Sequence, residues 1–207
     1  MSQYIIMTDS SCDLPAGLAA ELELEVLPLS VLIDGKSYVN YLDERDITFA
    51  DCYAALRAGR NATTSAVNVE AFVQAMEPHL QAGEDILYLG FSSALSGTYN
   101  AGAVAAQQLA EKYPERKLYA VDTLSASMGQ GLMVYLTVQQ KRAGATIEQA
   151  RDYAEAQKLH LCHWFTVDDL NHLHRGGRVS ATSAVLGTVL NIKPVLHMDN
   201  EGRLIFM

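Results

Sequence analysis

The sequence predicts an α/β protein with a largely parallel sheet and helices on both faces. Three observations predict it. Short apolar runs at residues 4–7, 26–33, 86–91 and 117–121 alternate with longer stretches of helical character, the pattern that builds parallel sheets from strand–helix–strand units. Hydrophobic residues make up 49% of the 207, enough for a sizeable core in one large or two small domains. Four segments rich in Ser, Thr and Asp, residues 8–13, 63–65, 92–98 and 122–127, are expected to gather at one sheet edge, where parallel sheets bind ligands.

Taken in order, residues 4–7 read as a first strand and 8–15 as the loop after it. Pro15 opens a helix over 16–22, with Asp13 or Leu14 near its cap. Residues 26–33 form a second strand broken near Pro28, and Asp34-Gly35-Lys36-Ser37 makes the turn of a hairpin returning over 38–41. Thr48 caps a helix running to about residue 58. Residues 62–65 read as a hydroxyl-rich loop opening a helix over 69–80. After the strand 86–91 come Ser92-Ser93-Ala94-Leu95-Ser96-Gly97-Thr98 and a helix over 100–112. A strand over 117–121 empties into a fourth polar loop, which opens a helix over 128–142. Thr146 caps a helix over 147–158. Then follow a strand over 161–167, a short helix over 168–174, the basic turn Arg175-Gly176-Gly177-Arg178, a helix over 180–190, and paired strands over 195–198 and 204–206.

The formal net charge of −9, with no Lys/Arg-rich stripe, argues against nucleic acid as a partner. Cys12, Cys52 and Cys162 are odd in number and unpaired in spacing, which points to a reducing, cytoplasmic setting. The N-terminus reads as a strand rather than a signal peptide, and no apolar run is long enough to span a bilayer.

The stretch 92–98 carries the most chemistry. A strand emptying into serines before a helix aims N–H donors and hydroxyls at one spot, and the helix start favours an anion. It is built to hold a carboxylate or phosphate; plain N-capping by serine is the alternative reading of the same residues. The phosphate-binding loop Gly-x4-Gly-Lys-Ser/Thr, the dinucleotide fingerprint and the nucleophile elbow Gly-x-Ser-x-Gly are all absent. Gly129-Gln130-Gly131 lies inside a helix, where small residues serve close packing. His160, Cys162, His163, His172 and His174 do not converge at metal-ligand spacing, so no metal and no catalytic residue is assigned. Asp9 and Asp122 end strands and are expected, with Ser10, to organise loops; the alternative makes them acids of a small-molecule enzyme performing phosphoryl or acyl transfer.

With those residues in view, the chain resembles the DegV family of bacterial fatty-acid-binding proteins. The resemblance rests on Thr8-Asp9-Ser10-Ser11-Cys12-Asp13-Leu14-Pro15, Thr64-Ser65, the 92–99 motif, Val121-Asp122-Thr123, Leu173 to Arg178 and Leu190 to Leu196, all in order and spacing. It implies an α/β domain over residues 1–160 and the start of a second, smaller, lipid-covering lobe over 161–207, incomplete at the C-terminus. It also implies one long-chain fatty acid, such as palmitate, between the lobes, with no other cofactor. The resemblance places the carboxylate on Thr64 and Ser96, with neighbouring Thr63, Ser65 and Ser93 as alternatives; Ala66-Val67 stands where the family usually has Gln-Pro, which leaves the choice among Thr63, Thr64 and Ser65 open. For those members that act as fatty-acid-kinase binding subunits, the resemblance implies a separate, dihydroxyacetone-kinase-like, ATP-dependent kinase as partner and a carrier that is not itself an enzyme, with Arg178 at the position of an arginine of that partner interface. The resemblance also implies a late histidine that helps hold the carboxylate in relatives, which the 207 residues do not include.

Overall fold

The computed structural model describes residues 3–168, 170–179 and 193–207. Its centre is a four-stranded parallel sheet in the order β2-β1-β6-β7, built from β1 (Tyr4–Asp9), β2 (Glu25–Leu27), β6 (Asp85–Gly90) and β7 (Leu118–Asp122). Side chains alternate between the faces of a strand, and both faces of β6 are buried. Leu87 and Leu89 join Ile6, Val121 and Met133 in one core cluster; Ile86 and Tyr88 join Met7, Phe72 and Met76 in the other. The first cluster is closed by α5 (Met128–Arg142) and α6 (Ile147–Gln157), the second by α3 (Val69–Gln81) and α4 (Thr98–Lys112). Helices therefore cover both faces, as expected.

Small residues set how closely these layers meet. A Cβ on Gly102 of α4 would stand 2.5 Å from Cε1 of the fully buried Tyr88 ring, and one on Gly131 of α5 would stand 2.5 Å from the Cys12 carbonyl oxygen. The glycines around Gln130 are packing residues. Helix α6 begins with a capping box, the Thr146 hydroxyl taking the Gln149 N–H while the Gln149 side chain takes that of Thr146. The hydroxyl of Thr48 takes the Asp51 N–H at the start of α2 (Phe49–Arg57). Helix α1 (Ala16–Glu21) departs from expectation. Its cap position is Pro15 itself, without a side-chain bond, and Asp13 sits in the left-handed region at φ 52°.

Pro28, which cannot donate to a ladder, separates β2 from β3 (Leu29–Ile33), and the two belong to different sheets. Strand β3 is the middle of an antiparallel sheet ordered β4-β3-β5, with β4 (Lys36–Asn40) reached through the two-residue turn Asp34-Gly35 at φ 49° and 82°. Its third strand, β5 (Ala62–Ser65), corrects the expected loop at 62–65. The pairing that makes it a strand comes from β3, about thirty residues earlier in the chain and out of reach of local pattern. Asp34 fixes the approach, bonding the Arg60 side chain at 2.5 Å and the Asn61 N–H at 3.1 Å.

The third sheet, β10-β9-β8, joins β8 (Trp164–Phe165), β9 (Leu196–Met198) and β10 (Leu204–Phe206), all antiparallel. The expected strand at 161–167 shrinks to two residues, and a short helix, α7 (Leu170–Arg175), precedes the basic turn. The helix expected over 180–190 lies outside the described residues. Among the described residues no helix is long and apolar enough to cross a membrane.

Candidate anion site at the serine loop between β6 and α4

Strands β1, β6 and β7 end side by side, which brings their loops together. The loop after β6 is wired from its first residue. Phe91 donates its N–H to Asp9 Oδ2 at 3.3 Å; Ser92 donates its N–H to the Ser125 carbonyl at 2.9 Å; Ser93 donates its N–H to both Asp122 oxygens at 3.3 Å. The N–H groups of Leu95 and Ser96 both return to the Ser92 carbonyl. Ser96 Oγ accepts the Thr98 N–H at 3.2 Å and lies 2.9 Å from Thr98 Oγ1, so Ser96 supplies the cap that Gly97 cannot. The expectation of many free N–H groups therefore narrows. Among the described residues, those of Ala94, Gly97, Tyr99 and Asn100 meet no acceptor, and Ser93 Oγ meets no partner.

Beneath the loop lies a buried polar knot. Asp9 is wholly buried; its Oδ2 accepts from Phe91 N–H, from Tyr88 Oη at 3.1 Å and from Gln130 Nε2 at 3.2 Å, while Oδ1 accepts the Ser11 N–H at 3.0 Å. Burial pushes the Asp9 carboxyl up, and the Ser11, Phe91 and Tyr88 donors pull it back partway. Desolvation, then the Asp9 charge, holds the Tyr88 phenol well above its ordinary value. Gln130 Nε2 also reaches Thr8 Oγ1 at 3.0 Å, and Gln130 Oε1 has no partner among the described residues. Next to the knot, burial pushes the Cys12 thiol up to about 12, which makes it inert as a nucleophile.

The three loops from the parallel sheet do converge: Asp9 holds the β6 loop, and Asp122 holds both that loop and the Leu124 N–H. The fourth hydroxyl group of residues arrives differently. Thr63, Thr64 and Ser65 lie on β5, exposed, with no side-chain bond among the described residues. Their sheet is tied to the same edge through Ser10, whose Oγ accepts from Leu29 N–H at 3.0 Å and from Asn40 Nδ2 at 3.2 Å.

On the other side of the loop, Ser92 Oγ donates to the Gly202 carbonyl at 2.7 Å, seating the β9–β10 turn on it. Gly202 has φ 75°, and a Cβ there would stand 2.3 Å from Ser92 Oγ. Arg178 donates from Nε to the Leu95 carbonyl at 3.1 Å and from Nη1 to that of Gly176. Between these parts lies a cavity of about 640 Å³, within the usual range for small-molecule sites, walled in part by Leu95, Arg178, Val179, Arg203, Leu204 and Phe206. Its walls do not include Thr63, Thr64 or Ser65. Among the described residues no histidine bonds a serine or threonine, and no three His, Cys, Asp or Glu residues cluster as metal ligands.

Gln130, Tyr88 and Asn40 were not among the expected site residues. Only Gln130 left a signal, as an amide set among the apolar residues of a helix; Tyr88 reads as core and Asn40 as the end of a hairpin strand.

The profile described as "Uncharacterised protein, DegV family" matches residues 3–206. The chain is 44% identical over 204 residues to a DegV domain-containing protein of Clostridium perfringens, covering 99% of this chain and 70% of the relative. Among solved structures it superposes on a fatty-acid-binding DegV family protein from Thermus thermophilus with TM-score 0.86 at 33% identity, covering 99% of this chain and 70% of that one. A stearic-acid-binding protein from Eubacterium ventriosum matches with TM-score 0.89 at 26% identity and the same coverage. The chain belongs to the DegV family.

Proposed function

We propose that this chain binds a long-chain fatty acid as a non-enzymatic, cytoplasmic carrier. The carboxylate is held by Ser96 and Thr64, with Ser93, Thr63 and Ser65 within the same two segments, and by the unclaimed N–H groups where α4 begins. The acyl chain lies between an α/β domain over residues 1–160 and a smaller lobe beginning at 161. One observation carries this reading: hydroxyls and free N–H donors, with no nucleophile–base pair among the described residues, stand beside a cavity walled by Leu95, Val179, Leu204, Ile205 and Phe206 together with Arg178 and Arg203, in a fold whose solved members include fatty-acid binders. Each buried CH₂ of an acyl chain contributes roughly 0.8 kcal/mol, so a neutral polar mouth needs no arginine to reach useful affinity.

The bound acid is presented to a separate ATP-dependent kinase of the dihydroxyacetone-kinase-like class, with Arg178 at the partner interface. The exposure of the basic turn and its bond to the serine loop support that placement. The enzymatic alternative, with Asp9 and Asp122 as acids, has less support, because Asp9 is enclosed and its oxygens are taken by four donors.

Mass spectrometry of lipid extracted from purified protein tests the reading, together with thermal unfolding in palmitate or oleate. Co-purified fatty acid and a raised midpoint are expected. Empty protein whose midpoint ignores both acids overturns it.

A further inference from the structure

The proposed head-group residues come from two different sheets, and one dipeptide connects them. Asp9 holds the serine loop through the Phe91 N–H, while Ser10 holds the antiparallel sheet through Leu29 and Asn40. Both are buried, Asp9 at 0% and Ser10 at 1% exposure, so the link is shielded from competing water.

Strand register then decides which β5 hydroxyl turns toward the link. Leu29 pairs with Asn40, and Val31 pairs with Thr64. Directly paired residues share a face, as do alternate residues of one strand, so Leu29, Val31, Asn40 and Thr64 lie on one face. Thr63 and Ser65 pair with Leu32 and Ser30 and lie on the other. The face whose Asn40 amide reaches Ser10 is the face that carries Thr64.

We infer that Asn40, through its bond to Ser10 Oγ, is a positioning residue that sets Thr64 of the antiparallel sheet against Ser96 of the parallel one. This rests on the fatty-acid reading. Asn40 touches no acyl chain in this arrangement. It fixes one half of the carboxylate grip relative to the other, where an error of a few tenths of an ångström weakens a hydrogen bond.

Titrations with oleate and with oleyl alcohol, which shares the chain and lacks the carboxylate, separate this role from a merely structural one. Asn40→Ala is expected to raise the oleate Kd about five- to tenfold, the equivalent of one lost hydrogen bond, and to leave the alcohol Kd within about twofold. Thr64→Val should reproduce that selective loss, and Thr63→Val should not. Equal weakening of both ligands, or an unchanged oleate Kd in Asn40→Ala, overturns the positioning role while leaving the carrier reading intact. Wild-type protein that binds neither ligand overturns the carrier reading and this inference with it.

Discussion

Between β6 and α4, the side chains and N–H groups are largely spoken for: Phe91, Ser92, Ser93, Leu95 and Ser96 all donate within the protein, and the Asp9 knot beneath them is sealed. In β5, Thr63, Thr64 and Ser65 are exposed and carry no side-chain bond among the described residues. One half of the proposed grip is thus built in advance, at the expense of burying polar groups. The other is a plain edge strand whose hydroxyls are open to a ligand. The difference teaches that preorganisation here lives in the parallel sheet, and that the antiparallel sheet borrows its position through Ser10.

That contrast breaks most readily at the knot. Asp9→Ala would strand the Phe91 and Ser11 N–H groups and the Tyr88 hydroxyl in the interior, and should cost about 2–4 kcal/mol. Urea unfolding reads this, and a loss under about 1 kcal/mol would show the knot to be dispensable. Next in size, Gly131→Ala sets a methyl against the Cys12 carbonyl, a backbone atom that cannot swing aside, and should cost about 1–3 kcal/mol in the same assay.

A paired substitution sharpens the comparison directly. Ser96→Ala removes the cap on the Thr98 N–H and should lower stability by about 0.5–2 kcal/mol. Thr64→Ala, at an exposed position with nothing bonded, should stay within about 0.5 kcal/mol of wild type. Equal losses would mean that the two halves are not held differently.

The smallest effect is expected where residue 163 packs on α5. His163 sits over Gly129, whose added Cβ would fall 1.8 Å from the ring, and burial lowers its affinity for a proton. The folded chain therefore binds fewer protons there than the unfolded one. This contribution to stability is complete above the ordinary imidazole value of about 6.5 and is lost as pH falls below it. Thermal midpoints between pH 7.5 and 5.5 should drop less in His163→Asn than in wild type, and parallel curves would remove His163 from the account.

Much of the fold is legible in residue pattern. The helix over 128–142 begins and ends where expected, because a polar loop precedes an apolar periodic run that closes on Lys141 and Arg142. The strand Asp85–Gly90, expected over 86–91, follows from a short apolar run that tolerates burial on both faces. The serine loop was marked by its hydroxyl density. What escaped was non-local: β5 is a strand only because β3 pairs with it, and the Asp9 knot is assembled by Tyr88 and Phe91, about eighty residues away, and by Gln130, 121 residues away.

By itself the sequence determined the α/β layering, the hydroxyl-rich strand ends, and the family resemblance that a profile over residues 3–206 supports. Those features are carried by local period, by residue type and by the order of motifs. Only the tertiary structure decided that Pro28 divides its strand between two sheets, and that Asn40 and Thr64 share a face turned toward Ser10. Register and burial depend on which distant segment supplies the partner, and neighbouring residues hold no record of that choice.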